Sequence, residues 1–243
     1  MDYETPRFLD CGESALSVEF GDSVDPAVNA RVLALDERLR AAPPAGLRET
    51  TPTYRALFLR YEPLEISRAA LVAAIEGLIG TAGVEASQPA ARWTFPCCYD
   101  PEFAEDIGEA AALLGQTAQS LAQLHAGADY RAYMYGFAPG WCYLGGLPQA
   151  LAIPRRAAPR GPTPRGAALI GGALSLIAAS PMPTGWYVVG RTPERMFALN
   201  RNPPFLIAPG DAVRFEPIDA KTFLSLEARA LAGETVARRE TLL

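Results

Sequence analysis

One histidine, His125, and one lysine, Lys221, stand in a chain of 243 residues with only four cysteines, and each scarcity removes a chemistry. A single histidine cannot build a histidine-rich metal site or a histidine pair, so the sequence predicts no metal centre. Any imidazole acid/base step has to use His125, although a helix-capping or packing role is the commoner fate of such a residue. Lys221 precedes Thr222, but Asp219-Ala220 ahead of it supplies none of the glycines of a Walker phosphate loop. The chain also lacks the Gly-x-Ser-x-Gly elbow and the Gly-x-Gly-x-x-Gly fingerprint, which excludes a self-contained hydrolase or dehydrogenase of familiar type. Cys11, Cys97, Cys98 and Cys142 show no Cys-x-x-Cys spacing, and an adjacent pair does not easily chelate one metal or close a normal loop. They read as reduced thiols of a cytoplasmic protein, with Cys142 a small buried residue rather than a nucleophile.

Long apolar runs are missing as well. The most apolar stretch, 167–179, is too short to span a bilayer and carries Gly171-Gly172 in its middle. The acidic opening Met1-Asp2-Tyr3-Glu4-Thr5-Pro6 has no secretory character. No membrane and no nucleic acid is expected as partner, the latter because a net charge of -5 repels it. Positive charge is concentrated. Residues 1–129 carry 9 basic and 20 acidic side chains, residues 130–210 carry 8 and 1, and residues 211–243 carry 5 and 6. An arginine island in an acidic protein suits a carboxylate, a phosphate or an acidic partner surface.

Inside that island lies the run from Tyr133 to Gly146, where five aromatics mix with four glycines and Pro139. It reads either as a strand entering a tight turn with core-filling rings or as a loop lining a ligand, and the positive charge that follows favours the ligand. Pro154-Arg155-Arg156, Pro159-Arg160 and Pro164-Arg165 put guanidinium groups on a proline-stiffened loop that loses little entropy on grasping an anion. Arg191 after Gly190 is a further candidate.

The order of elements supports an α+β chain. Strand signals at 8–20, 47–51, 54–61 and 92–98 surround two helices. One starts at Asp25-Pro26 with Val28, Val32, Leu35 and Leu39 on one face; the other is capped by Ser67 with Leu71, Ile75, Leu78 and Ile79. Strand, helix, strand, strand, helix, strand is a ferredoxin-like order, so residues 1–98 are expected to form an N-terminal α/β domain. Helices over 103–114 and from Thr117 to His125 make 99–129 a helical joint. Residues 130–243 hold 13 of the 22 prolines between Pro139 and Pro217, with short strands between turns, as in an antiparallel barrel or sandwich. Gly171-Gly172 forms a hairpin turn, Gly185 to Gly190, 205–207 and 213–215 are further strands, and Pro209-Gly210-Asp211 is a turn.

His125 with Tyr130, Gly136-Phe137-Ala138-Pro139-Gly140 with Tyr143-Leu144, Pro154-Arg155, Pro159-Arg160, Gly171-Gly172, Gly185-Trp186, Gly190-Arg191-Thr192 and Pro209-Gly210-Asp211 with Val213-Arg214-Phe215 together carry a resemblance. From about Gly12 to Pro217 the chain resembles the B-type subunit of bacterial 5-oxoprolinase, a family that includes a sporulation-kinase inhibitor and allophanate hydrolase subunit 1 and is similar to part of the carboxyltransferase region of urea carboxylase. The resemblance implies a cyclophilin-like β-barrel after the α/β domain. It also implies a companion C-type subunit, of the allophanate hydrolase subunit 2 type, with which the B-type subunit handles an ATP-dependent step, while a separate A-type subunit completes ring opening. On this reading His125 is an acid/base or orienting group, and Arg155, Arg160 and Arg191 hold a carboxylate or phosphate. Gly136, Phe137, Pro139, Gly140 and Tyr143, with Gly171, Gly172, Ser175 and Trp186, line the substrate site. The sequence departs from the family's habit at Trp141-Cys142, Gly166-Ala167, Leu174-Ser175 and Thr184, which removes hydrogen-bonding groups near the expected substrate. The alternative function is a binding module that inhibits a sensor histidine kinase without chemistry.

Overall fold

The computed structural model describes residues 2–80 and 90–242, and the chain divides into two compact units, Met1–Gln88 and Pro89–Leu243. In the first, β1 (Asp2–Asp10) and β2 (Ala15–Gly21) form an antiparallel hairpin. Helix α1 (Pro26–Ala41) begins where the Asp25 carboxylate accepts hydrogen bonds from the N–H groups of Ala27 at 2.7 Å and Val28 at 3.3 Å. Strands β3 (Leu47–Pro52) and β4 (Ala56–Tyr61) and helix α2 (Arg68–Gly80) complete the unit. The sheet runs β1-β2-β4-β3, antiparallel throughout. Its core is the one that helical and strand periods dictate. Val28, Val32, Leu35 and Leu39 of α1 and Leu71 and Ile75 of α2 are buried with Leu16, Val18 and Phe20 of β2 and Leu57 and Leu59 of β4.

The expected fourth strand, 92–98, is not in this sheet, and β1 takes the outer place beside β2. The physical reason is burial. β1 exposes most of its residues, as an edge strand of a one-sided sheet does, whereas β5 (Ala91–Cys98) is buried along nearly its whole length. A strand with one face apolar throughout (Trp93, Phe95, Cys97) and the other buried at Pro96 and Cys98 needs cover on both sides, and β5 finds it in the second unit.

That unit contains, after β5, helices α3 (Ile107–Leu113) and α4 (Ala118–Ala126), strands β6 (Tyr130–Tyr135) and β7 (Cys142–Gly145), and a single 3-10 turn at Gln149–Leu151. There follow β8 (Ala167–Gly171), β9 (Leu174–Ile177), β10 (Tyr187–Arg191), β11 (Ala212–Ile218), α5 (Ala220–Leu231) and β12 (Arg238–Thr241). Seven strands close in the order β10-β8-β9-β7-β6-β11-β5, the ring being completed where Arg191 pairs with Cys98. The α+β class with a β-barrel is thus the observed architecture, with one qualification: β11 and β5 run parallel, from Ala212 opposite Arg92 to Ile218 opposite Cys98. β12 adds an antiparallel partner to β5 outside the ring.

Alternation along the strands sorts the barrel's two faces. Phe95, Ala132, Cys142, Leu144, Ala168, Ile177, Val213 and Phe215, drawn from strands around the ring, pack together as its filling. Their neighbours Leu169, Leu176 and Val188 face the other way, onto Trp141 and Trp186. The helices expected as a joint belong to the barrel. Ile107, Ala110 and Ala111 of α3 and Leu121 of α4 are buried against Ile170, Tyr187 and Val189, so the expected boundaries at 98 and 129 fall inside one packed unit. Phe205 forms only an isolated bridge to Phe197 in place of the strand expected at 205–207, and α5, capped by Asp219 through the Thr222 N–H at 2.7 Å, is a helix beyond those expected from the sequence.

Two glycines of the barrel separate backbone strain from steric clash. Gly172 (φ 64°) and Gly166 (φ 78°) both adopt left-handed backbone. A Cβ on Gly172 meets nothing within 4 Å, whereas one on Gly166 lies 2.1 Å from the Thr192 carbonyl oxygen. Gly172→Ala is expected to cost about 1–2 kcal/mol from the backbone alone, and Gly166→Ala clearly more, read as the difference in denaturation midpoints. Equal losses would show that the Thr192 segment yields.

Candidate functional site

The mixture of rings and glycines between Tyr133 and Gly146 is first a matter of packing. A Cβ on Gly145 would lie 1.9 Å from the Tyr133 ring, and one on Gly140 2.5 Å from Phe197 Cβ. Trp141 is buried, with its indole N–H donating to Ser180 Oγ at 3.2 Å. Phe137 is different. It is a non-glycine residue at φ 69°, it is 63% exposed, and its ring meets Trp141 edge-on at 5.1 Å. A bulky residue held in left-handed backbone on a surface loop is the kind of local strain that accompanies binding sites.

From the same loop Tyr143 reaches a second arrangement. Its ring stands edge-on to Trp186 with centroids 5.9 Å apart, and the Arg155 guanidinium lies 5.0 Å from the Trp186 ring. Gly171 lets the indole lie close to β8, since a Cβ there would come within 2.8 Å of it. Gly136 lies beside Tyr143 in turn, 3.6 Å from its ring to the position a Cβ would take. Burial raises the Tyr143 phenol above its usual range while the Arg155 charge draws it back. The backbone around Arg155 is tied on both sides. Ile153 and Gly172 exchange two hydrogen bonds, at 3.1 and 2.6 Å, and the Arg156 N–H donates to Gly185 O at 2.8 Å.

Arg156, Arg160 and Arg191 of the island are consumed internally. Arg156 donates to both Glu109 oxygens, at 2.8 and 2.5 Å, and lies over the Tyr187 ring. Arg160 donates to Asp106 at 2.6 Å and also to Glu105. Arg191 donates to Glu227 at 3.0 Å and to the Arg165 carbonyl, and it lies against Phe223. The anion-binding role expected of Arg160 and Arg191 therefore meets carboxylates already in place, supplied by the turn before α3 and by α5. Charge counted by segment conceals those acids, because the fold brings an acidic segment onto a basic one. Asp106 is central. One of its oxygens accepts from both Arg160 and the Val188 N–H, the latter at 2.8 Å, while its own N–H donates to Val188 O at 2.9 Å. Among the described residues, no carboxylate pairs with Arg155, and no cluster of three or more His, Cys, Asp or Glu could hold a metal.

His125 lies elsewhere. It is completely buried, and both ring nitrogens are engaged, with Nε2 3.2 Å from Ser175 Oγ and Nδ1 2.8 Å from the Tyr99 hydroxyl. Ser175 donates to Leu169 O at 3.1 Å, so it accepts from Nε2–H, and Nδ1 accepts from Tyr99. Rings of Tyr130 and Phe215 enclose the imidazole, and burial lowers its pKa to about 3. The acid/base role expected of His125 thus meets a neutral, enclosed ring. Ser175, expected to line the substrate site, is buried with it, because its position on β9 turns its hydroxyl inward where Leu174 and Leu176 turn outward.

Comparison with known proteins follows the fold. The family model described as carboxyltransferase domain, subdomain C and D, matches residues 6–207. The B-type subunit of 5-oxoprolinase from Bacillus subtilis (strain 168) is 29% identical over 222 residues, covering 87% of this chain and 92% of that protein. The crystal structure of TTHA0988 superposes with a TM-score of 0.75 at 34% identity over 85% of this chain, which spans 40% of that longer one. Kluyveromyces lactis urea carboxylase gives a TM-score of 0.78 over 98% of this chain and 24% of its own, at 16% identity, a likeness of fold alone.

Two outcomes test this geometry. Asp106→Ala should release the arginine loop from β10, lowering stability by about 2–3 kcal/mol for the loss of charged hydrogen bonds and opening 154–165 to proteolysis; a fully protected loop would contradict the clamp. His125 binds its proton at about 3 when folded against 6.5 ordinarily. Its contribution is therefore fully present above pH 6.5 and is lost as pH falls toward 3, with a slope of up to about 1.4 kcal/mol per pH unit. Stability measured between pH 6.5 and 4 should fall more steeply for the native chain than for His125→Gln; parallel curves would show that the imidazole takes up its proton without penalty.

Proposed function

Because this chain belongs to the family of carboxyltransferase domains, subdomains C and D, we propose that it is the B-type subunit of an ATP-dependent 5-oxoprolinase. It works with a companion C-type subunit on a small cyclic amide, with a separate A-type subunit completing ring opening. The observation that carries the reading is the near end-to-end match to a protein named as the B-type subunit of 5-oxoprolinase, 92% of whose length is covered. An amide is protected by the resonance that makes its C–N bond partly double, and coupling to ATP supplies the drive to open it. The triphosphate needs several cations at once. Here Arg156, Arg160 and Arg191 already face Glu109, Glu105, Asp106 and Glu227, which favours nucleotide binding with the companion subunit rather than by this chain alone. The supply of ATP makes the reaction a cytoplasmic one.

The test is ATP hydrolysis by the chain co-purified with its companion, across 5-oxoproline, allophanate and urea. Stimulation by 5-oxoproline is expected, with little turnover by either subunit alone. A stable complex whose ATP hydrolysis responds to none of the three would overturn the assignment, and a response to allophanate alone would move the substrate to that amide.

A further inference from the structure

We infer that Arg155, laid on Trp186 beside Tyr143, is the subsite for the carboxylate of the substrate; this rests on the amide-opening function proposed above and names the part of the substrate the barrel holds. Three observations converge on it. The first is availability: of the arginines on the proline-stiffened loop, Arg156 and Arg160 are neutralised by Glu109, Asp106 and Glu105, Arg165 lies 3.5 Å from Glu227, and Arg155 is exposed with no carboxylate of the described residues beside it. The second is orientation. A guanidinium over an aromatic face gains cation–π attraction and keeps its N–H fork free at its edge, the geometry that grips a planar anion through two parallel hydrogen bonds.

The third is rigidity. The Ile153–Gly172 bridge and the Arg156–Gly185 hydrogen bond fix the backbone one and two residues away from Arg155, and the ion pairs of Arg156 with Asp106 and Glu109 hold its neighbour to α3. Little ordering then remains to be done when a ligand arrives. The surroundings define the rest of the ligand. Leu174, Met182 and Ala138, all partly exposed, pack on the cluster of Trp141 and Trp186, and the floor under the guanidinium is the apolar Trp186 ring. A single carboxylate on a small, flat, weakly polar body matches one free fork and an apolar floor, and a multiply charged phosphate group does not.

The experiment is calorimetric titration of the full chain in complex with its companion subunit, using 5-oxoproline, pyrrolidin-2-one (the same lactam without the carboxylate) and inorganic phosphate. The native complex should bind 5-oxoproline about 10- to 100-fold more tightly than pyrrolidin-2-one, the worth of one charged bidentate contact. Arg155→Ala should erase that preference, and Arg155→Lys, which keeps the charge without the fork, should restore only part of it. An Arg155→Ala complex that still prefers the acid overturns the inference. So does phosphate competing with 5-oxoproline in the native complex but not in Arg155→Ala, which would assign the site to phosphate. Turnover of 5-oxoproline with an unchanged KM in Arg155→Ala would remove the subsite and leave the function standing. An Arg155-dependent preference in a complex that opens no amide would do the reverse.

Discussion

The second unit depends on β5 being shared. It pairs in parallel with β11 along its whole length, meets β10 at Cys98 to close the ring, and accepts β12 along its first half. Its inward face, Trp93, Phe95 and Cys97, is apolar throughout, while the outward face passes from half-buried Arg92 and Thr94 to buried Pro96 and Cys98. The Trp93 indole also donates to Asp211 at 3.1 Å, and Asp211 accepts from the Ala208 N–H at 3.0 Å. The turn that delivers β11 is thereby fastened to the strand that closes the barrel, a contact between residues 118 positions apart.

The tryptophans and leucines of the barrel's outer face, Trp141, Trp186, Leu169 and Leu176, are buried, and the arginine loop that passes Trp186 is pinned rather than free. Asp106 joins that loop to β10, while Arg156 and Arg160 spend their charge on the pinning. Half-buried ion pairs of this kind contribute modestly to stability but strongly to position, since removing one partner strands the other. On the arginine loop the positive charge is therefore mostly scaffold, and the charge left over there is local, at Arg155.

The buried chain from Tyr99 through His125 to Ser175 has an analogous part in the interior. It links α4 to β9 and, through Leu169 O, to β8, using directional hydrogen bonds where a purely apolar contact would leave the register of the hairpin less well specified. A neutral imidazole can donate on one side and accept on the other, which is what this position requires.

Much of this was legible in the sequence. The core faces of α1 and α2 and the caps at Asp25, Ser67 and Thr117 follow from local rules of period and capping, and the hairpin expected at Gly171-Gly172 forms one residue along, with Gly171 paired to Leu174 and Gly172-Ala173 as its turn. The family, too, was carried by short motifs. What the sequence could not decide was pairing between distant segments. Whether 92–98 joins the first sheet or closes the barrel turns on which surface buries its second face, and whether Arg160 is open or satisfied turns on Glu105 and Asp106 arriving from across the fold. His125 and Arg155 show the same division. Their residue types marked both as candidates, but burial engages one with its own protein and leaves the other facing solvent, and burial is a property of the tertiary structure alone.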